Sequence, residues 1–190
     1  MSALLAIAST AAAAPPIVNI PGLGSVIGVP SNLHSEVNRF FALPYALPPI
    51  GPLRWASPKP HGAFVKSPLN GTVPGNACMQ KAEHLDYGFP VAEDCLTLNI
   101  ATPAHTLEDV EGAKPLPVMV WFHGGAFAIG AGANYRNDAL VHASGHSVVV
   151  VTLNYRLHAF GFLGSAELAA EGGGSTGNYG IEDQRLALYW

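Results

Sequence analysis

Two continuous apolar runs organise the second half of the chain. Val118 to Phe122, VMVWF, and Ser147 to Leu153, SVVVVTL, are rich in β-branched and aromatic residues, and neither alternates with polar positions. Such runs predict strands covered on both faces, as central strands of a mostly parallel sheet are. Between them Asn137 to Ala143 has the length of a short helix, with Asn137 as its cap and Gly145 closing it. Strand, crossover helix and strand predict an α/β architecture. Leu96 to Ala101, LTLNIA, alternates and is stopped by Pro103, and the polar stretch 104–115, with Glu108, Asp109, Glu111 and Lys114, reads as a surface loop. Upstream, from Val18 to about Thr97, the chain is broken by Pro44, Pro48, Pro49, Pro52, Pro58, Pro60, Pro68 and Pro74, which leaves room for short strands and loops but not for long helices. The last segment, GNYGIEDQRLALYW, begins a helix whose apolar face is Ile181, Leu186 and Leu188 with Tyr189 or Trp190. No stop signal closes it, so the pattern reads as truncated.

Composition narrows the function classes. The 190 residues carry 9 Lys and Arg against 13 Asp and Glu, a formal charge of −4 with no basic stripe, which excludes a nucleic-acid footprint. Charged residues are 12 % of the chain and hydrophobic ones 49 %, so the chain buries a core. So low a charge share suits a piece of a larger domain, because the buried fraction rises with domain size. Residues 2–14, SALLAIASTAAAA, are apolar or small and run into Pro15-Pro16, which resembles a secretory signal. The run is too short to span a bilayer. This divides the chain into a signal segment, 1–14, and a domain, 15–190. The even cysteine count, Cys78 and Cys95, and the acceptor triplet Asn70-Gly71-Thr72 lean towards secretion as well. Two buried thiols and a chance triplet are the alternatives.

The chemistry sits directly after the first apolar run. In His123-Gly124-Gly125-Ala126-Phe127 two glycines allow a turn that leaves successive N–H groups free to converge on an anion. A plain strand-to-loop turn is the alternative for Gly-Gly alone. The unit VMVWFHGGAF is more specific, because lipases and esterases place oxyanion donors on a His-Gly-Gly loop after a sheet strand.

Five stretches in order, FFALPYALPPIGPLRW (40–55), EDCLTLNI (93–100), VMVWFHGGAF (118–127), VVVTLNYRLHAFGFL (149–163) and GNYGIEDQRLAL (177–188), resemble the N-terminal part of the type-B carboxylesterases. This is the carboxylesterase, lipase and cholinesterase family of the α/β-hydrolase fold. The resemblance covers most of residues 40–190 and implies an incomplete portion of that fold: a mostly parallel central sheet with crossover helices, ending before the nucleophile elbow. It implies oxyanion donors in the backbone N–H groups of Gly125 and Ala126, with Gly124 turning the loop and His123 shaping it. It implies a disulfide between Cys78 and Cys95, and buried ion pairs between Arg54 and Glu93 and between Arg156 and Asp183. The segment between the cysteines has Tyr87 and Phe89 but no Trp, where cholinesterases place an aromatic platform, so a choline ester is disfavoured. His158 stands where the family often has Gly.

The family's Ser, acid and His triad is not in this chain. A literal G-x-S-x-G occurs at Gly173 to Gly177, but Ser175 follows AELAAEGG, which has no strand character, so it does not read as a nucleophile. His142 and His146 are four apart, yet Gly145 breaks their helix and no third ligand is near in sequence, so metal binding is not expected. Gly22-x-Gly24 lacks the context of a dinucleotide loop. The reading is therefore a secreted carboxylic-ester hydrolase using serine acyl transfer, with this chain carrying the oxyanion loop but no triad and itself inactive. It needs no cofactor; its partner is a small-molecule ester, with no partner protein inferred. A non-catalytic, cholinesterase-like interaction protein is the rival.

Overall fold

The structure is a computed structural model that describes residues 14–81, 88, 90–107, 114–174 and 176–190. Among the described residues the strands are β1 (Ile17–Ile20), β2 (Gly24–Ile27), β3 (Val29–Pro30), β4 (Val37–Pro44), β5 (Leu69–Asn70), β6 (Ala77–Cys78), β7 (Val91–Ala92), β8 (Thr97–Pro103), β9 (Val118–Phe122) and β10 (Val149–Leu153). The helices are α1 (Asn137–Ala143), α2 (His158–Phe162), α3 (Ala166–Glu171) and α4 (Tyr179–Tyr189). The proline-rich half is short strands and loops, as expected. Residues 104–107 form a short 3-10 turn, while the loop's acidic residues at 108, 109 and 111 lie outside the described residues.

Five strands form the main sheet in the order β3-β4-β8-β10-β9. Among the described residues its parallel part is the pair β9–β10, with Val118 opposite Val149 and Phe122 opposite Leu153; the other three pairs are antiparallel. The crossover through α1 makes the parallel pair, since parallel neighbours need a long return connection. The expected double cover holds for β10, whose Val150 and Leu153 are fully buried. It fails for β9, which has one neighbour among the described strands and leaves Val118 59 %, Met119 47 % and Trp121 44 % exposed. The run of apolar residues was legible, but a strand's neighbours are a property of the whole sheet.

β4 carries a bulge between Phe40 and Leu43, where Ala42 takes φ +55. The Phe41 N–H donates to the Gly71 carbonyl at 2.8 Å and the Ala42 N–H to Asn99 Oδ1 at 3.2 Å, so both donors stay satisfied. On one side of the sheet Phe40, Leu43, Leu98, Leu153 and Tyr155 join the main core. A second cluster, Val37, Ala101, Val141 and Val150, seats α1 on the sheet.

Asn137 is the first residue of α1 and not its cap; Arg136 holds the cap position, and the buried Asn137 Oδ1 has no hydrogen-bond partner among the described residues. The helix start is fixed instead by Asp138, which is fully buried. Ser31 Oγ donates to it at 2.6 Å, Arg136 donates through Nε and Nη2 at 3.0 and 2.9 Å, and Arg39 stands 3.8 Å away. Gly145 (φ +68) ends the helix as expected. In α4 the buried stripe is Tyr179, Gly180 and Asp183, continued by Leu186 and Trp190 against the core. The expected face is only half right, since Ile181 (36 %), Leu188 (59 %) and Tyr189 (80 %) are exposed. A carboxylate occupies the inner face because Arg156 waits for it there.

Candidate active site

The glycine loop leaves β9 at its C-terminal end. Gly125 has φ +115, and Ala126 and Phe127 follow at +53 and +56. Two successive left-handed residues with side chains cost about 1–2 kcal/mol each, so the surroundings must hold this shape. They do so from both ends. Tyr155 Oη donates to the His123 carbonyl at 2.6 Å, and the two rings stack at 4.4 Å. His123 Nδ1–H donates to the Gly124 carbonyl at 2.9 Å. At the far end Gln80 clasps Gly130: its Oε1 accepts the Gly130 N–H at 2.8 Å and its Nε2 donates to the Gly130 carbonyl at 2.7 Å. Inside the turn the N–H groups of Ala128 and Ile129 both donate to the Gly125 carbonyl.

The N–H groups of Gly125 and Ala126 make no hydrogen bond to other described residues, and both positions are exposed. Successive N–H groups left free on a braced turn are the arrangement from which backbone anion sites are built. Beside it lies a shallow depression of about 470 Å³ lined by Ala126, Phe127, Ala128, His158, Phe162 and Leu163. Burial pushes the His123 imidazole below its ordinary range, only partly opposed by its bond to Gly124, a shift that favours the neutral ring.

His158 lines the same depression. Its N–H donates to the Phe127 carbonyl at 2.8 Å and its φ is +49. That left-handed conformation gives a physical reason for the glycine the family often has there.

The other expected positions divide. Cys78 and Cys95 form a disulfide, Cα–Cα 5.0 Å, and Gln80 carries its effect to the loop. Arg156 and Asp183 form a buried pair with side chains 3 % and 0 % exposed. Arg54 and Glu93 pair through two 2.5 Å hydrogen bonds, but at 38 % and 20 % exposure the pair is not buried, because it lies at a surface turn after residues 51–53. Asn70 is exposed, its Oδ1 accepting from the Thr72 N–H and Oγ1. Ser175, Tyr87 and Phe89 lie outside the described residues; the segment before Ser175 is helix α3 and a turn, not the strand an elbow needs. Gly22 turns the β1–β2 hairpin.

Sequence reading missed Gln80 and Asn154. Asn154 accepts the Gly132 N–H at 2.8 Å and donates to the Asn76 carbonyl at 2.8 Å, tying the loop's exit to the disulfide region. Asn154 sits inside the matched stretch LNYRL, and Gln80 two residues after a cysteine, but neither has local chemistry that announces a brace.

Residues 14–190 match the family model described as the carboxylesterase family. The chain belongs to the carboxylesterase family. It is 38 % identical over 177 residues to a cocaine esterase of Oryctolagus cuniculus, covering 88 % of this chain and 31 % of that protein. It is 40 % identical over 174 residues to acetylcholinesterase-1 of Trittame loki, covering 88 % and 30 %. The crystal structure of Aspergillus niger EstA superimposes with a TM-score of 0.78 at 33 % identity, over 93 % of this chain and 32 % of that one. The chain thus has the carboxylesterase fold class and spans about a third of the length of the relatives it matches. Among its described residues no helix is long and apolar enough to cross a membrane.

Proposed function

We propose that this chain supplies the oxyanion-stabilising loop and part of the pocket wall of a carboxylic-ester hydrolase that works by serine acyl transfer in a parent as long as its relatives. The observation that carries the reading is the pair of unpartnered N–H groups at Gly125 and Ala126 on a loop strained into a single shape. In acyl transfer the attacked carbonyl oxygen gains negative charge, and donors already in place stabilise it without reorganising. The nucleophile, its base and the orienting acid come from chain beyond these residues. Phe127, half exposed beside the donors, and Phe162 offer apolar contact to the substrate. The 190 residues alone hydrolyse no ester, since among the described residues no side chain beside the loop is paired with a base as an activated nucleophile would be.

The disulfide and the exposed Asn70-Gly71-Thr72 triplet support secretion as part of this proposal. The segment 1–14 that would direct it lies almost wholly outside the described residues. The rival interaction-protein reading has no use for a strained loop with free donors.

Proline cannot test Ala126, because φ +53 is closed to it. Replacing the amide by an ester at position 126 in the full-length parent, with lactate in place of alanine, removes the donor and keeps the backbone shape. The kcat for an activated aryl ester falls about 10²–10³-fold. An unchanged kcat excludes Ala126 from the oxyanion site. On the 190-residue chain the same ester is hydrolysed at the background rate, and activity lost on Ser175→Ala would make Ser175 a nucleophile and refute the division of labour proposed here.

A further inference from the structure

On the surface served by α1, away from the glycine loop, three histidines and a glutamate meet. His142 lies in the last turn of α1, and Gly145 (φ +68) and His146 (φ +62) bend the chain back so that the His142 and His146 ring centroids are 5.5 Å apart. The break that separates them in the helical pattern keeps them neighbours in space. Glu36, from the segment entering β4, places Oε1 2.8 Å from His142 Nδ1 and 3.2 Å from His146 Nε2. His34 stacks on His142 with centroids 4.1 Å apart. One ligand atom each from His34, Glu36 and His142 lies within 4.8 Å of the others.

We propose that His34, Glu36, His142 and His146 form a surface site for a divalent transition metal of the zinc type. Imidazole nitrogens with one carboxylate are a donor set for zinc, copper and nickel rather than for calcium or magnesium, which take oxygens. Metal–nitrogen bonds of about 2.0–2.1 Å require the ligand atoms to close to about 3.3 Å, so the His34 and His142 rings swing out of their stack to converge. The swing starts from side chains open to solvent: His142 is 49 %, Glu36 42 % and His146 29 % exposed, and His34 is half-buried.

The backbone beneath does not need to move. Ser31 Oγ accepts the His34 N–H at 3.2 Å while donating to buried Asp138 of α1. The His34 carbonyl accepts the Val37 N–H and the Glu36 carbonyl the Ala104 N–H, both at 2.8 Å. The two ligand-bearing segments, more than 100 residues apart in sequence, are therefore pinned to each other before any ion arrives. Such pre-organisation distinguishes a site from a chance cluster of imidazoles.

The test is calorimetric titration of the chelator-treated 190-residue chain with ZnCl₂, with Co²⁺ absorption as a second readout of nitrogen–oxygen coordination. Saturable one-to-one binding is expected. Outer-shell partners alone change metal affinity by about 10–100-fold, so loss of a ligand in Glu36→Gln, His34→Gln or His142→Gln weakens binding at least about tenfold. His105→Gln, at a histidine outside the cluster, leaves binding unchanged. Near-ultraviolet circular dichroism shows whether each surface variant keeps the parent fold, and the three ligand variants are compared so that one failing to fold does not decide the matter. Absence of saturable binding, or binding unmoved by Glu36→Gln and His142→Gln, overturns the site and leaves Glu36 as a hydrogen-bonding partner of the two histidines only. The ester-hydrolase reading is untouched by either result.

Discussion

Arg156→Met asks how much of the α4 docking is held by charge. Asp183 is fully buried and receives three hydrogen bonds from one residue: Arg156 Nε and Nη2, both at 2.8 Å, and the Arg156 backbone N–H at 3.0 Å. Methionine fills most of the arginine stem and leaves the backbone donor, so the carboxylate keeps one partner of three in a site closed to water. A buried charge stripped of its partner costs about 3–5 kcal/mol. For a chain of this size each kcal/mol moves Tm by about 2–4 °C, so the expected fall is about 6–20 °C. Burial already pushes the Asp183 carboxyl above its usual range, against the pull of Arg156, and the variant removes most of that pull. A raised folded-state pKa means the folded chain binds more protons, so the variant's deficit grows as pH rises from about 5 to 7. The assay is urea unfolding of the wild type, Arg156→Met and Arg156→Met/Asp183→Leu at both pH values. The double variant removes the orphaned charge and recovers part of the loss, leaving about 1–3 kcal/mol for the backbone N–H of position 156, which loses its acceptor. A single-variant loss below about 1 kcal/mol, or a double variant no better than the single, refutes the argument.

Three other outcomes follow from the geometry. Cys78→Ala/Cys95→Ala loses about 3 kcal/mol by the loop-entropy estimate for a cross-link of sequence separation 17, measured by urea unfolding. It also frees Gln80 from Gly130, so limited proteolysis cuts residues 124–130 faster. Gly130→Ala places a methyl group against His123 Nδ1 at φ +125 and destabilises by about 2–3 kcal/mol, whereas Gly62→Ala, where nothing lies within 4 Å, meets only the strain of its φ of +73. Burial raises the Asp138 carboxyl, but Arg136, Ser31 and Arg39 outweigh it and hold it well below the ordinary carboxylate range. The stability it lends is therefore complete above about pH 5 and lost on acidification. The urea midpoint of the wild type falls between about pH 5 and pH 2 more steeply than that of Asp138→Asn.

What the sequence determined by itself is what lies within a few residues. The apolar runs at 118–122 and 149–153, the helix 137–143 with its stop at Gly145, the proline-broken first half and the His-Gly-Gly loop all follow from side-chain periodicity and backbone freedom. Those are properties of a local stretch and survive translation to any fold that uses it. The tertiary structure decided that β10 lies between β8 and β9 and is buried, while the equally apolar β9 has only β10 beside it among the described strands. It decided that α4 turns Asp183 inward, a choice hydrophobic patterning opposes and a guanidinium 27 residues away permits. It also decided that Gln80 braces a loop 50 residues downstream and that Glu36 reaches His142 across 106. Each of these rests on a contact whose partners are chosen by how sheets and helices pack, and the energy of a buried hydrogen bond or charge depends on its surroundings rather than on its place in the chain.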